Sequence, residues 1–205
     1  MQKTSNWDLG PDAGRRGRVC WLAMRVIAGK YRSRTLEAPS GMATRPTSDR
    51  LRETLFNVLA PRMEGARFLD LYAGSGAVGV EALSRGAAHV DFVERAQPAL
   101  KALRANLERL GIRGGFGIHT STVAAFLRKQ AEASFDVVFL DPPYDAAEEY
   151  AVSLAALGVL LVRGGVAVAE HRRKDKLEEA YGVLQRTRLL EQGDAALSFY
   201  ALERS

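Results

Sequence analysis

Two short stretches carry the residue types best suited to chemistry. The first is Asp141-Pro142-Pro143-Tyr144, directly after the apolar run Phe135-Asp136-Val137-Val138-Phe139-Leu140. Apolar and β-branched residues bounded by a proline pair read as a buried strand that ends in a loop. Each proline fixes its own φ and restricts the residue before it. The carboxylate, the nearby carbonyls and the ring are therefore presented with little freedom. An acceptor pair beside a stacking ring suits the task of holding a flat base by its exocyclic amine. The second stretch is Asp70-Leu71-Tyr72-Ala73-Gly74-Ser75-Gly76-Ala77-Val78-Gly79. It fits the G-x-G-x-x-G pattern between a strand and a helix, which is weak evidence alone. Glycines let a backbone approach a ligand closely, and a helix start offers free N–H groups to an anion. Glu94 ends the following strand, where it can accept from ribose hydroxyls.

Two features favour S-adenosylmethionine over a nicotinamide dinucleotide in this loop. Asp70 precedes the glycines by four residues, where it can meet a ligand's cationic amino group, and a pyrophosphate would gain nothing from that charge. The Asp141 strand also brings no evident hydride-transfer residue. His89, His119 and His171 are scattered and lack metal-ligand spacing, so no metal is expected.

From residue 67 onward the pattern around these stretches alternates between strand and helix. Residues 68–72, 90–93, 116–119, 135–140 and 166–170 read as strands. Residues 77–84, 98–110, 122–130 and 148–157 read as helices. Such alternation predicts an α/β fold with a mostly parallel sheet and helices on both faces. The runs 182–190 and 196–202 predict a closing antiparallel hairpin. Upstream, residues 25–36 suggest a small β-hairpin turning at Gly29-Lys30. A helix follows, capped by Thr47 or Ser48, with Leu51, Leu55, Val58 and Leu59 on one face and Pro61 at its end. Three units are expected. Residues 1–23 form an arm, either dispensable or an upstream start. Residues 24–64 form a basic hairpin-helix appendage, and residues 65–205 the catalytic domain.

A chain of 205 residues with one cysteine, Cys20, and no long apolar run is expected to be a cytoplasmic protein without intrachain disulfides. Its net charge of +5 is unevenly spread. Residues 1–64 hold 12 Lys/Arg against 6 Asp/Glu, whereas residues 65–205 hold 17 against 18. An anionic polymer would be drawn to the N-terminal third. Arg25, Lys30, Arg32 and Arg34 could contact phosphates there, with Tyr31 interleaved. Arg45, Arg50 and Arg52 lie at the start of the helix, and the plain alternative for each is a solvated helix face.

Three motifs also carry a family resemblance. Asp70 to Gly79 resembles motif I of the class I methyltransferases, whose fold is Rossmann-like. Asp141 to Tyr144 resembles the [DNS]-PP-[YFW] motif of amino-group N-methyltransferases. Arg45-Pro46-Thr47-Ser48-Asp49-Arg50-Leu51-Arg52-Glu53-Thr54-Leu55-Phe56-Asn57 resembles the signature of the RsmD family, and the likeness runs from Met24 to about Arg204. That resemblance implies transfer of a methyl group from S-adenosylmethionine to N2 of a guanine in bacterial 16S ribosomal RNA. A monomer acting on 16S RNA or a small-subunit assembly intermediate is expected. Asp141, Pro142 and Tyr144 would be catalytic. Asp70, Tyr72, Gly74, Ser75, Gly76 and Glu94 would hold the cofactor. Many relatives carry Asp or Asn near Thr122 for the cofactor adenine, and here Ser121 or Thr122 would serve. Arg25, Lys30, Arg32, Arg34, Arg45 and Arg50 would hold RNA. The alternatives are adenine-N6 methylation of DNA and RNA binding without catalysis.

Overall fold

The computed structural model describes residues 24–38, 49–143 and 147–203. Five parallel strands form the body of one sheet: β1 (Arg67–Leu71), β2 (His89–Glu94), β3 (Phe116–Thr120), β4 (Phe135–Leu140) and β5 (Leu161–Arg172). Three antiparallel strands extend it: β6 (Ala180–Tyr181), β7 (Leu184–Gln192) and β8 (Ala195–Leu202). The order across the sheet is β3-β2-β1-β4-β5-β8-β7-β6. The helices are α1 (Asp49–Leu59), α2 (Ala77–Ser84), α3 (Gln97–Arg109), α4 (Val123–Leu127) and α5 (Ala147–Leu157).

Burial on both faces explains why the parallel strands read as near-continuous apolar runs. On one face Phe68, Phe92, Val137, Phe139 and Val168 pack under α1, α2 and α3, through Leu55, Phe56, Val80 and Leu103. On the other, Leu69, Leu71, Val138, Leu140 and Ala169 pack under α4 and α5, through Phe126, Leu127, Leu154 and Leu157. The class I methyltransferase fold expected from the motifs is the one found. The chain steps outward from β1 to β2 and β3, then crosses back to β4. The strand order therefore reverses between β1 and β4, and the crevice at their carboxyl ends is where ligands bind in such sheets. Both motif stretches leave the sheet at that crevice.

Several elements depart from the sequence reading. The Gly29 hairpin closes through a single bridge, Arg25 with Thr35, instead of two strands. Its backbone turns to α2 for partners. Ile27 and Ala28 N–H donate to the Glu81 carboxylate, Tyr31 N–H to Ser84 Oγ, and Lys30 N–H to the Ser84 carbonyl. Helix α4 covers only Val123–Leu127, because Thr122 is its cap and the chain turns at Arg128 and Lys129. Strand β5 starts five residues early, at Leu161, across a register shift opposite Phe135 and Val137 near Gly164, whose φ is +83°. Met24, Val26 and Leu36 share a core with α1 and α2. The Thr47 and Ser48 cap lies outside the described residues.

Candidate active site

The three glycines of the β1–α2 loop do different work. A Cβ on Gly76 would stand 2.2 Å from Leu103 Cδ1, and one on Gly79 would stand 2.2 Å from Phe92 Cε1. Those two let α2 pack closely on α3 and the sheet. Gly74 is the other kind: at φ +56°, its missing Cβ faces open space, with nothing nearer than the Tyr72 carbonyl at 4.0 Å. A ligand can approach the backbone there.

Two acids frame this loop. Asp70 is buried, and its Oδ2 accepts from Gly79 N–H at 2.8 Å, in the first turn of α2. Burial pushes its carboxyl up to about 7, against the pull of the Gly79 N–H, and the charge of Glu94 adds to the rise. Glu94 accepts from three backbone groups, Gly74 N–H at 2.9 Å and Arg95 and Ala96 N–H at 2.7 Å each. Both acids thus brace the loop. Ionised carboxylates offer about four acceptor sites, so each retains capacity toward a ligand. Ser75 is buried, and its carbonyl accepts from Asn106 Nδ2.

Tyr72 has a left-handed φ of +62°, an uncommon conformation for a ring-bearing residue. Its hydroxyl donates to Glu149 and lies 3.3 Å from Ser153 Oγ, both on α5. Leu71 pairs with Leu140, so Tyr72 leaves β1 level with Asp141 leaving β4. The ring therefore ties the glycine loop to the helix that follows the Asp-Pro-Pro loop. Sequence reading placed Tyr72 with the cofactor residues and gave no sign of this tie.

Asp141 is half-buried, Pro142 buried and Pro143 exposed. Burial raises the Asp141 carboxyl well above the usual range, and the neighbouring charges of Glu170 and Asp70 raise it further. Glu170 is the carboxylate that the sequence reading passed over. It ends the apolar run of β5, and Leu140 pairs with Ala169, which sets Glu170 level with Asp141. An acid closing an apolar strand next to the Asp-Pro-Pro strand was the available signal.

Arg52 corrects another reading. It is fully buried, not part of a solvated helix face. Its Nη2 donates to the Arg25 carbonyl at 2.5 Å and to Asp49 Oδ1 at 2.9 Å, and its Nε lies 3.9 Å from Glu81. Among the described residues, Nε and Nη1 have no hydrogen-bond partner. Burial draws the guanidinium below its usual range, opposed by Asp49, Glu81 and Glu170. Arg50, two residues away, is exposed as expected.

The remaining expected residues divide. The Thr122 hydroxyl accepts from Ala125 N–H as the cap of α4, and Ser121 Oγ donates to the Thr122 carbonyl. Both stand at the carboxyl end of β3, with their hydroxyls engaged locally. Arg25 pairs with Asp49, and Arg34 Nη2 donates to the Arg109 carbonyl. Arg32 is exposed on the hairpin turn. Lys30 sits beside Ser84, at the opposite end of α2 from the glycine loop. Tyr144 and Arg45 lie outside the described residues. No group of three or more His, Cys, Asp or Glu that could hold a metal ion occurs among the described residues.

A family model described as Conserved hypothetical protein 95 matches residues 24–201. The chain belongs to this family, that of the RsmD methyltransferases. YlbH of Bacillus subtilis, whose name marks it as an inferred rRNA methyltransferase, is 38% identical over 180 residues, covering 86% of this chain and 98% of that one. Ribosomal RNA small subunit methyltransferase D of Escherichia coli is 42% identical over 121 residues, covering 59% of this chain and 60% of that one. The solved structure of yhhF from Escherichia coli, named as an inferred methyltransferase, superposes with a TM-score of 0.78 at 32% identity and covers 88% of this chain and 98% of that one. S-adenosylmethionine is the cofactor of RsmD methyltransferases, and the open face of Gly74 between Asp70 and Glu94 fits it.

Proposed function

We propose that this RsmD-family protein methylates the exocyclic N2 amine of a guanine in small-subunit (16S) ribosomal RNA, acting as a monomer in the bacterial cytoplasm. The observation that carries the reading is the pairing of two loops at one crevice: the open Gly74 loop after β1 and Asp141-Pro142 after β4. The names of the relatives supply the RNA class.

Gly74 would admit the cofactor to the backbone, Asp70 would face its amino group, and Glu94 its ribose. Ser75, Gly76 and Tyr72 would shape the loop, and Ser121 or Thr122 would border the adenine. When bound, S-adenosylmethionine supplies an activated methyl group on a sulfonium. An exocyclic amine is a poor nucleophile, because its lone pair is delocalised into the ring. Asp141 and the Pro142 carbonyl accept the amine's hydrogens, which aims the lone pair and stabilises the positive charge that develops on nitrogen. Positioning does most of the work. Tyr144 would stack on the base, worth about 1–3 kcal/mol by analogy with other base platforms. A base paired in a helix must be flipped or already unpaired to reach this crevice.

Asp141 must be ionised to accept two hydrogens, yet its surroundings favour the protonated form. Guanine answers this by offering two adjacent donors, N1–H and the N2 amine, whereas adenine presents an N1 lone pair beside its amine. The test is incubation with labelled cofactor and either small ribosomal subunits lacking the modification or duplex DNA. Label in RNA guanine supports the reading. Label confined to DNA adenine, or cofactor binding without transfer to either, defeats it.

A further inference from the structure

The basic excess of the sequence lies in the N-terminal third, yet the fold puts other cations nearer the crevice. Strand β5 continues past the level of Asp141 to Arg172, two residues beyond Glu170 and about 7 Å further along the strand. The chain then runs Arg173-Lys174-Asp175-Lys176. This loop is held in place. Arg172 Nε donates to Asp175 Oδ2 at 2.6 Å, Asp175 N–H to the Arg172 carbonyl at 2.9 Å, and Arg173 N–H to the Asp194 carbonyl in the β7–β8 turn at 2.8 Å. Arg173, Lys174 and Lys176 are exposed, and among the described residues no ion pair engages them. None of the exposed large apolar side chains, Val152, Val159, Val183 and Leu189, falls in the loop.

Helix α1 adds a fourth cation. Thr54 Oγ1 lies 3.2 Å from Gln192 Oε1, at the end of β7, and also donates to the Arg50 carbonyl one turn back. Exposed Arg50 is thus one helical turn from the contact between α1 and the end of β7. A run of charges is ordinarily a solvated surface. Here the run is pinned at the rim of the crevice, while Lys30 of the hairpin sits at the far end of α2.

We propose that the β5–β6 loop is an RNA-contacting surface, in which Arg173, Lys174 and Lys176, with Arg50 of the neighbouring α1, hold phosphates of the strand that carries the target nucleotide. The proposal rests on the RNA reading above. Phosphate contacts fix register and orientation without reading sequence. They also release counterions, so each adds about 0.7–0.9 to the salt slope of binding. An apolar protein partner has no foothold on this loop.

The test uses the full chain with Arg173→Gln, Lys174→Gln and Lys176→Gln together, and separately with the single reversal Lys174→Glu. Methyl transfer to small subunits lacking the modification is followed against subunit concentration at several salt concentrations. The expected result for the triple variant is a KM for subunits raised about tenfold, kcat within about twofold, and a salt slope lower by about 2–3. Lys174→Glu should raise KM in the same direction. Affinity for S-adenosylmethionine and the melting temperature should stay unchanged in both. An unchanged KM and salt slope, or a loss confined to cofactor affinity or melting, would overturn the proposal. A wild-type protein inactive on RNA would instead defeat the function it rests on.

Discussion

The proposed role makes Asp141 an acceptor in surroundings that favour its protonated form. Burial comes first among the causes, followed by Glu170 and Asp70. In the proposed role the ionised form does the work, so turnover should rise with pH through a midpoint above the ordinary carboxylate range. A pH profile of kcat checks this, and a flat profile from pH 5 to 9 would separate Asp141 from the rate. Asp141→Ala should cut kcat by about 100-fold or more while leaving S-adenosylmethionine affinity nearly intact. Asp70 makes a stability prediction. Its folded value near 7 lies above the unfolded 3.8, so the native state holds the proton more tightly. That contribution is full below about pH 4 and is lost as pH rises through about 7, at a cost on the order of 4 kcal/mol. Asp70→Asn keeps an acceptor for Gly79 N–H without the charge. It should therefore melt higher than wild type at pH 8 and show little difference at pH 4. Gly74→Val tests the open face. A β-branched residue at left-handed φ costs about 1–2 kcal/mol, and its side chain would also enter the ligand's space. Calorimetry should show S-adenosylmethionine binding weakened by at least about tenfold, and unchanged affinity would remove Gly74 from the site.

At the scale of elements, the clasp between the Gly29 turn and α2 governs how the N-terminal segment is seated. A Cβ at Gly29 would stand 1.8 Å from the Ser84 carbonyl oxygen, and the residue has φ +80°. Gly29→Ala should therefore cost about 2–4 kcal/mol, lowering the melting temperature by roughly 5–15 °C. A thermal melt within 1–2 °C of wild type would mean that the turn is not seated as described. This clasp was poorly legible in the sequence. Two short extended runs around Gly29 suggest strands, but the N–H groups of Ile27, Ala28, Lys30 and Tyr31 are taken by Glu81 and Ser84, more than fifty residues away. Arg52 was hidden for a similar reason. A charged residue near a helix start reads as solvated, and only tertiary packing shows it buried against Asp49 and Glu81. By contrast, β1, α2 and β4 were legible almost to the residue, because turn chemistry and apolar runs mark their ends locally. Strand β5 was read too short, since the Arg163-Gly164-Gly165 stretch breaks the apolar pattern that its register shift accommodates.

For the whole molecule, the strand order decides how the two motifs meet. Parallel strands with helices between them were readable from the pattern, but that pattern alone does not say that β1 and β4 are neighbours. Their adjacency at the reversal of strand order brings Gly74 and Asp141 to one crevice. The parallel pairing of β5 with β4 carries the β5–β6 loop to the same end of the sheet. The proposed function has this crevice methylate guanine N2 in small-subunit RNA, with Asp141 holding the amine. Mass spectrometry of nucleosides tests it most directly, after small subunits lacking the modification are incubated with S-adenosylmethionine and either wild type or Asp141→Ala. Wild type should yield N2-methylguanosine and the variant almost none. N6-methyladenosine in place of it, or equal N2-methylguanosine from both proteins, would overturn the proposed function.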